Sequence, residues 1–370
     1  MPSEPKWYNM NGNRFGRLFQ LTTYGESHGD AMGVVVSGCP AGVELSEEDI
    51  QRDLDRRKPG QSMITTSRGE PDKVTLNSGV QDGYTTGTPI GMVIQNKDAR
   101  SGKYEPFITA PRPSHGDFTY SAKFGTRNWG GGGRSSARET VNWVAAGGIA
   151  KQVIAQSDHD VRIKAHVCQI GVVVADDVTF EEMLEHSEEN EVRCADPEAA
   201  EEMREPADKH QKEGDSIGGA IYCECRGVPR GLGPPRFDPV PARLGQAMYP
   251  IPAVTDFELG IGREARTARG TDYTEDWEFD GSDTPVPTGN DHGGLQGGIT
   301  TGDPIYGEMT WHAPVSFPKT QETVDWETGE KKEITVTGRH DPVLPPRAVP
   351  VVEAMLYCTV LDFMLLGGRI

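Results

Sequence analysis

The segment from Arg127 to Thr140 constrains this chain more than any other, because four consecutive glycines, Gly130 to Gly133, lead into a basic, hydroxyl-rich turn. The residues that follow, Glu139 to Ile154, are apolar with many small side chains and predict a helix. Glycines let backbone N–H groups approach an anion, and a helix N-terminus adds unpaired donors and a favourable dipole. The segment therefore predicts a phosphate cradle, and a floppy glycine loop is the alternative.

Two histidines lie in loops beside small residues. His28 lies within Thr22–Gly29, just after an apolar segment, and His115 lies within Pro111–Asp117, after a proline-stiffened turn. A lone loop histidine is usually an ordinary surface residue. Two of them, each beside serine and glycine in a chain with 9 His, indicate a site that a substrate can approach.

A series of sequence blocks carries a resemblance to a known family. In chain order the blocks are Gly12–Phe19, Thr23–Gly29, Leu54–Gln61, Arg112–Asp117, Gly131–Thr140, Gly293–Ile299 and Gly338–Pro342. They extend over nearly the whole chain, and together they are highly specific. The chain resembles the chorismate synthases, in particular those of an archaeal, halophile-like kind.

Charge excludes one broad class of function. The 370 residues include 56 acidic and 37 basic side chains, for a net charge of -19, which argues against a general nucleic-acid binder. A concave basic site inside an acidic shell can still attract a small anion. The acidic balance is typical of a protein from a salty cytoplasm, and an ordinary acidic enzyme is an equal alternative.

Targeting signals and cysteine spacing point to an intracellular enzyme. No run of about 18 apolar residues predicts a membrane span, and the N-terminus lacks a secretory signal, so we expect a cytoplasmic protein. None of the 6 Cys forms a Cys-x-x-Cys pair, so we expect no metal site and buried, reduced thiols.

The pattern of elements predicts a mixed chain of short strands and a few helices in one domain, residues 1–370. Ser46 caps a predicted helix that ends near Arg57, and further helices are predicted at 139–157 and 351–366. We interpret 176–213 as an acidic helical segment, 98–125 as a long functional loop and 272–291 as a mobile loop. The resemblance implies an α+β sandwich with helices between two antiparallel sheets, assembled as a homotetramer.

The resemblance also implies the chemistry. Chorismate synthases eliminate phosphate from 5-enolpyruvylshikimate 3-phosphate in a 1,4-anti sense, and they use reduced FMN as a transient electron donor. His28 matches the histidine beside the substrate phosphate and would act as general acid. His115 matches the histidine close to the flavin, and Asp341 matches the acid that works with flavin N5 in proton removal. For Asp341 alone, an Asx turn before Pro342 is an even alternative.

Arginines are required because the substrate carries two carboxylates and a phosphate, which guanidinium groups bind bidentately. By motif, the candidates for substrate binding are Arg56, Arg57, Arg112 and Arg138. The resemblance also places Arg57 at the nicotinamide (NADP) position. The positions that match FMN contacts are Arg134, Ser135, Ser136, Gly297 and Arg339 together with the segment His312, Ala313, Pro314, Val315 and Ser316.

The segment from 312 to 316 departs from the family pattern, which has lysine, proline, threonine and serine near the flavin phosphate. Here His312 or Ala313 replaces the lysine, and we favour His312 as the surviving polar contact. Met63 replaces a common arginine and weakens the nicotinamide contact. These departures favour an external flavin reductase over intrinsic use of NADPH.

Rival functions are less well supported. A serine hydrolase lacks a Gly-x-Ser-x-Gly elbow, and a nucleotide-dependent kinase lacks a Walker lysine, because Arg134 follows the glycines. An inactive flavin- or phosphate-binding protein on the same scaffold is the remaining alternative, and retention of His28, His115 and Asp341 argues against it.

Overall fold

The computed structural model describes residues 12–60, 70–97, 101–279, 281, 284–337 and 340–370. Met63 and Arg339, which the sequence singled out, lie outside the described residues.

The described α-helices range from 4 to 22 residues and the described strands from 2 to 9 residues. The helices are α1 (Glu47–Arg57), α2 (Asp117–Phe124), α3 (Thr140–Ala155), α4 (Phe180–His186), α5 (Pro197–Lys212), α6 (Val240–Met248), α7 (Gly270–Tyr273) and α8 (Pro345–Leu366). The strands are β1 (Arg14–Phe15), β2 (Gln20–Gly25), β3 (Ala31–Ser37), β4 (Val74–Leu76), β5 (Val80–Gln81), β6 (Tyr84–Thr85), β7 (Ile90–Gln95), β8 (Arg162–Ile170), β9 (Val173–Val174), β10 (Gly219–Arg226), β11 (Val254–Leu259), β12 (Trp277–Glu278), β13 (Val286–Pro287), β14 (Leu295–Gln296), β15 (Ile299–Thr300), β16 (Ile305–Trp311), β17 (Thr320–Val324) and β18 (Lys331–Thr335).

Two five-stranded sheets enclose a layer of helices. The first sheet has the order β1-β2-β3-β7-β4 and the second has the order β11-β16-β10-β8-β9, with antiparallel pairing throughout. Helix α3 packs on the first sheet, α8 packs on β8 and β10 of the second, and α3 contacts α8 and α1. The predicted α+β arrangement of helices between two antiparallel sheets is confirmed.

One hydrophobic cluster runs through both sheets and the central helices, from Phe15 to Met364. Its continuity supports the interpretation of a single domain, which stays a prediction. All 6 cysteines are free thiols, and every one except the half-buried Cys168 is buried.

Helix α1 begins where the sequence predicts. The Ser46 side chain accepts from the backbone N–H of Asp49, and the Asp49 carboxylate accepts from the backbone N–H of Ser46 at 2.9 Å. This capping box satisfies two otherwise unpaired donors and fixes the first turn. The helix ends at Arg57, so that its last two arginines project from the C-terminal turn.

The glycine run leads into a basic, hydroxyl-rich turn before the helix, as the sequence predicts. Two short 3₁₀ turns, Gly133–Ser135 and Ala137–Glu139, lie between the glycines and the start of α3 at Thr140. Helix α3 is buried on nearly every side, which explains why its sequence is apolar all round.

Helix α8 begins at Pro345, six residues before the predicted start. Proline is tolerated in the first helical turn because the N–H groups there have no intrahelical partner. Pro350 leaves the carbonyl of Pro346 without its helical donor, and the guanidinium of Arg193 donates to that oxygen at 2.5 Å instead. By length and composition α8 could cross a membrane, but 83% of its apolar window is buried inside the fold. It is the central core helix.

Three predicted segments differ in detail. The acidic segment 176–213 contains α4 and α5, as expected. The region predicted as a long loop contains a 3₁₀ segment, Ser101–Phe107, and helix α2. The segment 272–291 includes strands β12 and β13, which pair with each other, and its mobility stays a prediction.

The contact between α3 and α8 generates a test of the core. A Cβ on Gly147 would lie 2.4 Å from the Cβ and 2.6 Å from the Cα of Ala354, so the helices would have to separate. We expect Gly147→Ala to lower the free energy of unfolding by about 1–3 kcal/mol, measured from the denaturant midpoint at constant salt.

Gly245→Ala in α6 is the matched control, because an added Cβ there meets nothing closer than 3.8 Å. It should raise the free energy of unfolding by up to about 1 kcal/mol through helix propensity. Equal effects of the two substitutions would contradict the proposed close packing of α3 on α8.

Candidate functional site

A cavity of about 550 Å³ lies where the loops after β2 and β16, the glycine run and the start of α8 meet. This volume is typical of a pocket for a small molecule. The predicted site residues that line it are His28, Arg57, Arg112, His115, Arg134, Ser135, Ser136, Arg138, His312, Pro314, Val315, Ser316 and Asp341.

The loop that carries His28 is docked on the glycine run. The Ser27 hydroxyl donates to the carbonyl of Gly131 at 2.9 Å, and the Asn96 amide donates to the carbonyls of Glu26 and Gly29 at 2.9 and 2.7 Å. Gly131 has a φ of +66°, and a Cβ there would lie 2.2 Å from Cδ2 of His28. Only glycine allows the imidazole to lie this close to the backbone.

His115 is held in one tautomer. Its Nδ1 lies 2.9 Å from the carbonyl oxygen of Pro113, which can only accept, so Nδ1 carries the hydrogen. In the neutral ring Nε2 is therefore an acceptor, and the hydroxyl of Ser316 donates to it at 2.6 Å. Burial, with the charge of Arg112 adding to it, lowers the pKa of His115 below its ordinary value.

A buried ion cluster forms one wall of the cavity. Asp72 accepts from Arg57 at 2.6 Å and from Arg138 at 2.8 Å. Burial alone would raise the pKa of Asp72, but the two guanidinium groups outweigh it and hold the pKa below the ordinary value. Both arginines are almost fully buried, so their positions are fixed before any ligand arrives.

The other arginines of the cavity are also tied to carboxylates. Arg112 forms a two-pronged pair with Asp117, at 2.8 and 3.0 Å, and Arg134 donates to Glu139 at 2.7 Å. These pairs fix the guanidinium groups but occupy part of their N–H donors. The donors that remain are those available to an anion.

Some predicted residues do not reach the cavity. The guanidinium of Arg56 pairs instead with Glu188 and Glu353, both at 2.6 Å. Gly297 lies in the turn between β14 and β15, and Ala313 is not part of the lining. His312 does line the cavity, and its Nδ1 donates to the carbonyl of Ala313 at 2.7 Å. The structure thus presents His312, rather than Ala313, to the cavity.

Sequence reasoning missed several lining residues with charged or aromatic side chains, among them Arg347 and Tyr104. Arg347, in the first turn of α8, pairs with Asp341. The proline-rich start of α8 could have revealed it, because prolines at the first helical positions predict an earlier helix start. Tyr104 lies in the segment interpreted as a loop, and its ring contacts His28.

The close approach of Gly131 to His28 can be tested by substitution. Gly131→Ala should destabilise the fold by more than the roughly 1–2 kcal/mol that a left-handed backbone costs a non-glycine residue, because the Cβ also displaces the imidazole. The free energy of unfolding and the NMR signals of the His28 ring are the measurements.

Gly368→Ala is the control, since Gly368 has a φ of +61° and open space at the Cβ position. It should show the backbone cost alone and leave the His28 signals unchanged. Equal losses of stability in the two variants, with unchanged His28 signals, would contradict the contact.

The pKa of His115 provides a second test. We expect its imidazole to titrate below pH 6.5 by NMR, whereas His186 in α4, whose pKa is raised by the hydrogen bond to Glu189, should titrate above it. Folding lowers the pKa of His115, so the unfolded chain binds a proton at this residue more readily than the folded chain does. The contribution of His115 to the free energy of unfolding is therefore complete above pH 6.5 and is lost as the pH falls from there through the folded pKa. A His115 midpoint at or above that of His186 would contradict the lowered pKa. The variant His115→Gln, which lacks the His115 signal, identifies that signal in the spectrum.

Comparison with known proteins gives a consistent result. A family model described as chorismate synthase matches residues 19–365. The chain is similar to a chorismate synthase of Halomicrobium mukohataei, at 85% identity over 98% of this chain and 91% of that protein, and to one of Haloarcula marismortui, at 86% identity over 98% and 90%. A chorismate synthase of Methanosarcina mazei is 48% identical over 98% of each. A solved structure titled "Crystal Structure of Chorismate Synthase" matches with a TM-score of 0.74 and 27% identity, and the match covers 95% of this chain and 93% of that one.

Proposed function

Since the chain belongs to the chorismate synthase family, it is a lyase of the shikimate pathway, and we propose that it acts with reduced FMN in the cavity described above. The reaction eliminates phosphate from 5-enolpyruvylshikimate 3-phosphate and yields chorismate, a precursor of the aromatic amino acids. The similarity to proteins of halophilic archaea favours the salt-adapted interpretation of the acidic composition. The observation that carries the assignment of the site is that one cavity gathers His28, His115 and Asp341 from distant parts of the chain.

The substrate is proposed to bind against the arginines of the cavity. Arg57, Arg112 and Arg138 are held rigid by Asp72 and Asp117, so little reorganisation is needed when an anion binds. The proposal leaves out Arg56, because the ion pairs of its guanidinium turn it away from the cavity.

His28 is proposed to be the general acid for the departing phosphate. Its ring lies against Gly131, and both residues line the cavity. A protonated imidazole at this position would donate to a phosphate oxygen as the carbon–oxygen bond breaks. Such proton transfer typically contributes about 10²–10⁴-fold to the rate.

Asp341 and His115 are proposed to act at the flavin side of the cavity. Arg347 pairs with the Asp341 carboxylate and orients it as the base that removes the ring proton. Burial lowers the pKa of His115, which favours the neutral ring, and the Nε2 of that ring accepts from Ser316. His115 would therefore accept a hydrogen bond or a proton at Nε2 rather than deliver one.

The residues of the cavity fit FMN. The cavity volume suits a flavin beside a small substrate, and the lining includes Arg134, Ser135 and Ser136 as well as His312, Pro314, Val315 and Ser316. His312 is the proposed polar contact to the flavin phosphate in place of the family lysine. When bound, reduced FMN supplies the electron that the elimination uses transiently and then returns.

Several finer expectations belong to the proposal as well. Contacts of Gly297, Ala313 and Arg339 with FMN stay predictions. The contact of Arg57 with NADPH also stays a prediction. The Arg57 guanidinium already donates to Asp72 and Thr140, so fewer of its N–H groups remain for NADPH. We propose a cytoplasmic homotetramer that receives reduced flavin from an external reductase.

An anaerobic assay tests the function. We expect the purified protein to form chorismate, followed by absorbance, from enolpyruvylshikimate phosphate and dithionite-reduced FMN at high salt. With NADPH and oxidised FMN as the only source of electrons we expect no product. His28→Asn should lower kcat by about 10²–10⁴-fold, whereas His186→Asn, in α4 and outside the cavity lining, should not change it.

Each alternative outcome has a definite meaning. Chorismate with NADPH would contradict the need for an external reductase. No chorismate from folded wild-type protein at low or high salt would contradict the function and favour the inactive flavin-binding alternative.

A further inference from the structure

The imidazole of His28 contacts an aromatic ring as well as the glycine run. The centroid of the Tyr104 ring lies 5.1 Å from that of the imidazole, and the two ring planes meet at 87°. This edge-to-face geometry is one that aromatic pairs prefer. The contact with Tyr104 and the close approach to Gly131 together restrict the orientation of a side chain that extends from a loop.

Tyr104 is itself anchored to a small buried cluster. Its ring lies edge-to-face with Phe107, at 6.0 Å and 73°, and it packs against the cluster of Phe107, Ala110, Ile334 and Val336. Ile334 belongs to β18, so the hairpin of β17 and β18 contributes to the cluster on which Tyr104 packs. The position of Tyr104 is thus set by packed residues rather than by its own short 3₁₀ segment.

A fixed cation lies against the same ring. The guanidinium carbon of Arg112 is 5.6 Å from the centroid of Tyr104 and 5.6 Å from that of Phe107. Because Asp117 holds this guanidinium in a two-pronged pair, Arg112 restrains the tyrosine through a cation–π contact. One ring therefore connects a substrate-binding candidate, Arg112, with the proposed general acid.

We propose that Tyr104 is a positioning residue for His28. The tyrosine ring holds the imidazole in the orientation that proton donation to the departing phosphate requires. The inference rests on the proposed function of His28. Proton transfer needs donor and acceptor atoms within about 2.6–3.2 Å, and a displacement of 1 Å can cost on the order of 10²-fold in rate. A ring that fixes the imidazole should therefore influence kcat more than KM.

The test compares Tyr104→Leu, which removes the ring, with Tyr104→Phe, which keeps it. With dithionite-reduced FMN we expect Tyr104→Leu to lower kcat by about 10-fold or more and to change KM less, and Tyr104→Phe to restore most of kcat. Tyr84→Leu is the matched control, because Tyr84 is exposed in the hairpin of β5 and β6. If Tyr104→Leu does not fold, Tyr104→Met takes its place.

A double substitution separates positioning from general damage. In the His28→Asn background, Tyr104→Leu should lower kcat little further, because the side chain through which it acts is already gone. Independent, multiplied losses would overturn the proposal, and so would an unchanged kcat in Tyr104→Leu.

NMR provides a readout that does not depend on turnover. The His28 ring signals should shift in Tyr104→Leu, which loses the ring current of the tyrosine, and should stay close to wild type in Tyr104→Phe and Tyr84→Leu. If the wild-type protein forms no chorismate, the proposed function fails and this measurement alone decides the contact. Unchanged His28 signals in Tyr104→Leu would overturn it.

Discussion

The cavity and the centre of the fold both depend on the ion pairs that the buried carboxylate of Asp72 forms with Arg57 and Arg138. Asp72 accepts from Arg57 at the end of α1 and from Arg138 just before α3, and it precedes β4 of the first sheet. A lone buried charge costs several kcal/mol, so removal of the Asp72 carboxylate would leave two buried guanidinium groups without this counter-charge. One side chain thus joins two helices, a sheet and the wall of the cavity.

The same arrangement recurs around the cavity, where the described arginines and the aspartate that are proposed to bind or react are each fixed by a partner of opposite charge. Arg112 is fixed by Asp117 and Arg134 by Glu139, while Asp341 is paired with Arg347. Rigid charges stabilise a developing charge without reorganisation, which is where enzymes gain most of their electrostatic advantage. The cost is that each partner uses N–H donors that a ligand would otherwise contact.

Sequence reasoning located most of the site but could not assign the direction of each side chain. Arg56 and Arg57 are neighbours in one motif, yet successive helical residues project about 100° apart. Arg57 therefore enters the cavity, whereas Arg56 turns to Glu353. Arg347 was missed because the helix was predicted to start at residue 351, whereas α8 begins at Pro345.

The sequence by itself determined the family through its motifs, and the resemblance to that family supplied the α+β sandwich. The sequence also determined the start of α1 and the loops that carry His28 and His115, because glycine, proline and capping residues act on their immediate neighbours. Only the tertiary structure decided which side chains meet. The pairing of His115 with Ser316 joins residues about 200 positions apart, and the contact of Tyr104 with His28 depends on a hairpin near residue 334. Such contacts follow from how sheets and helices pack, and local sequence carries no direct signal of them.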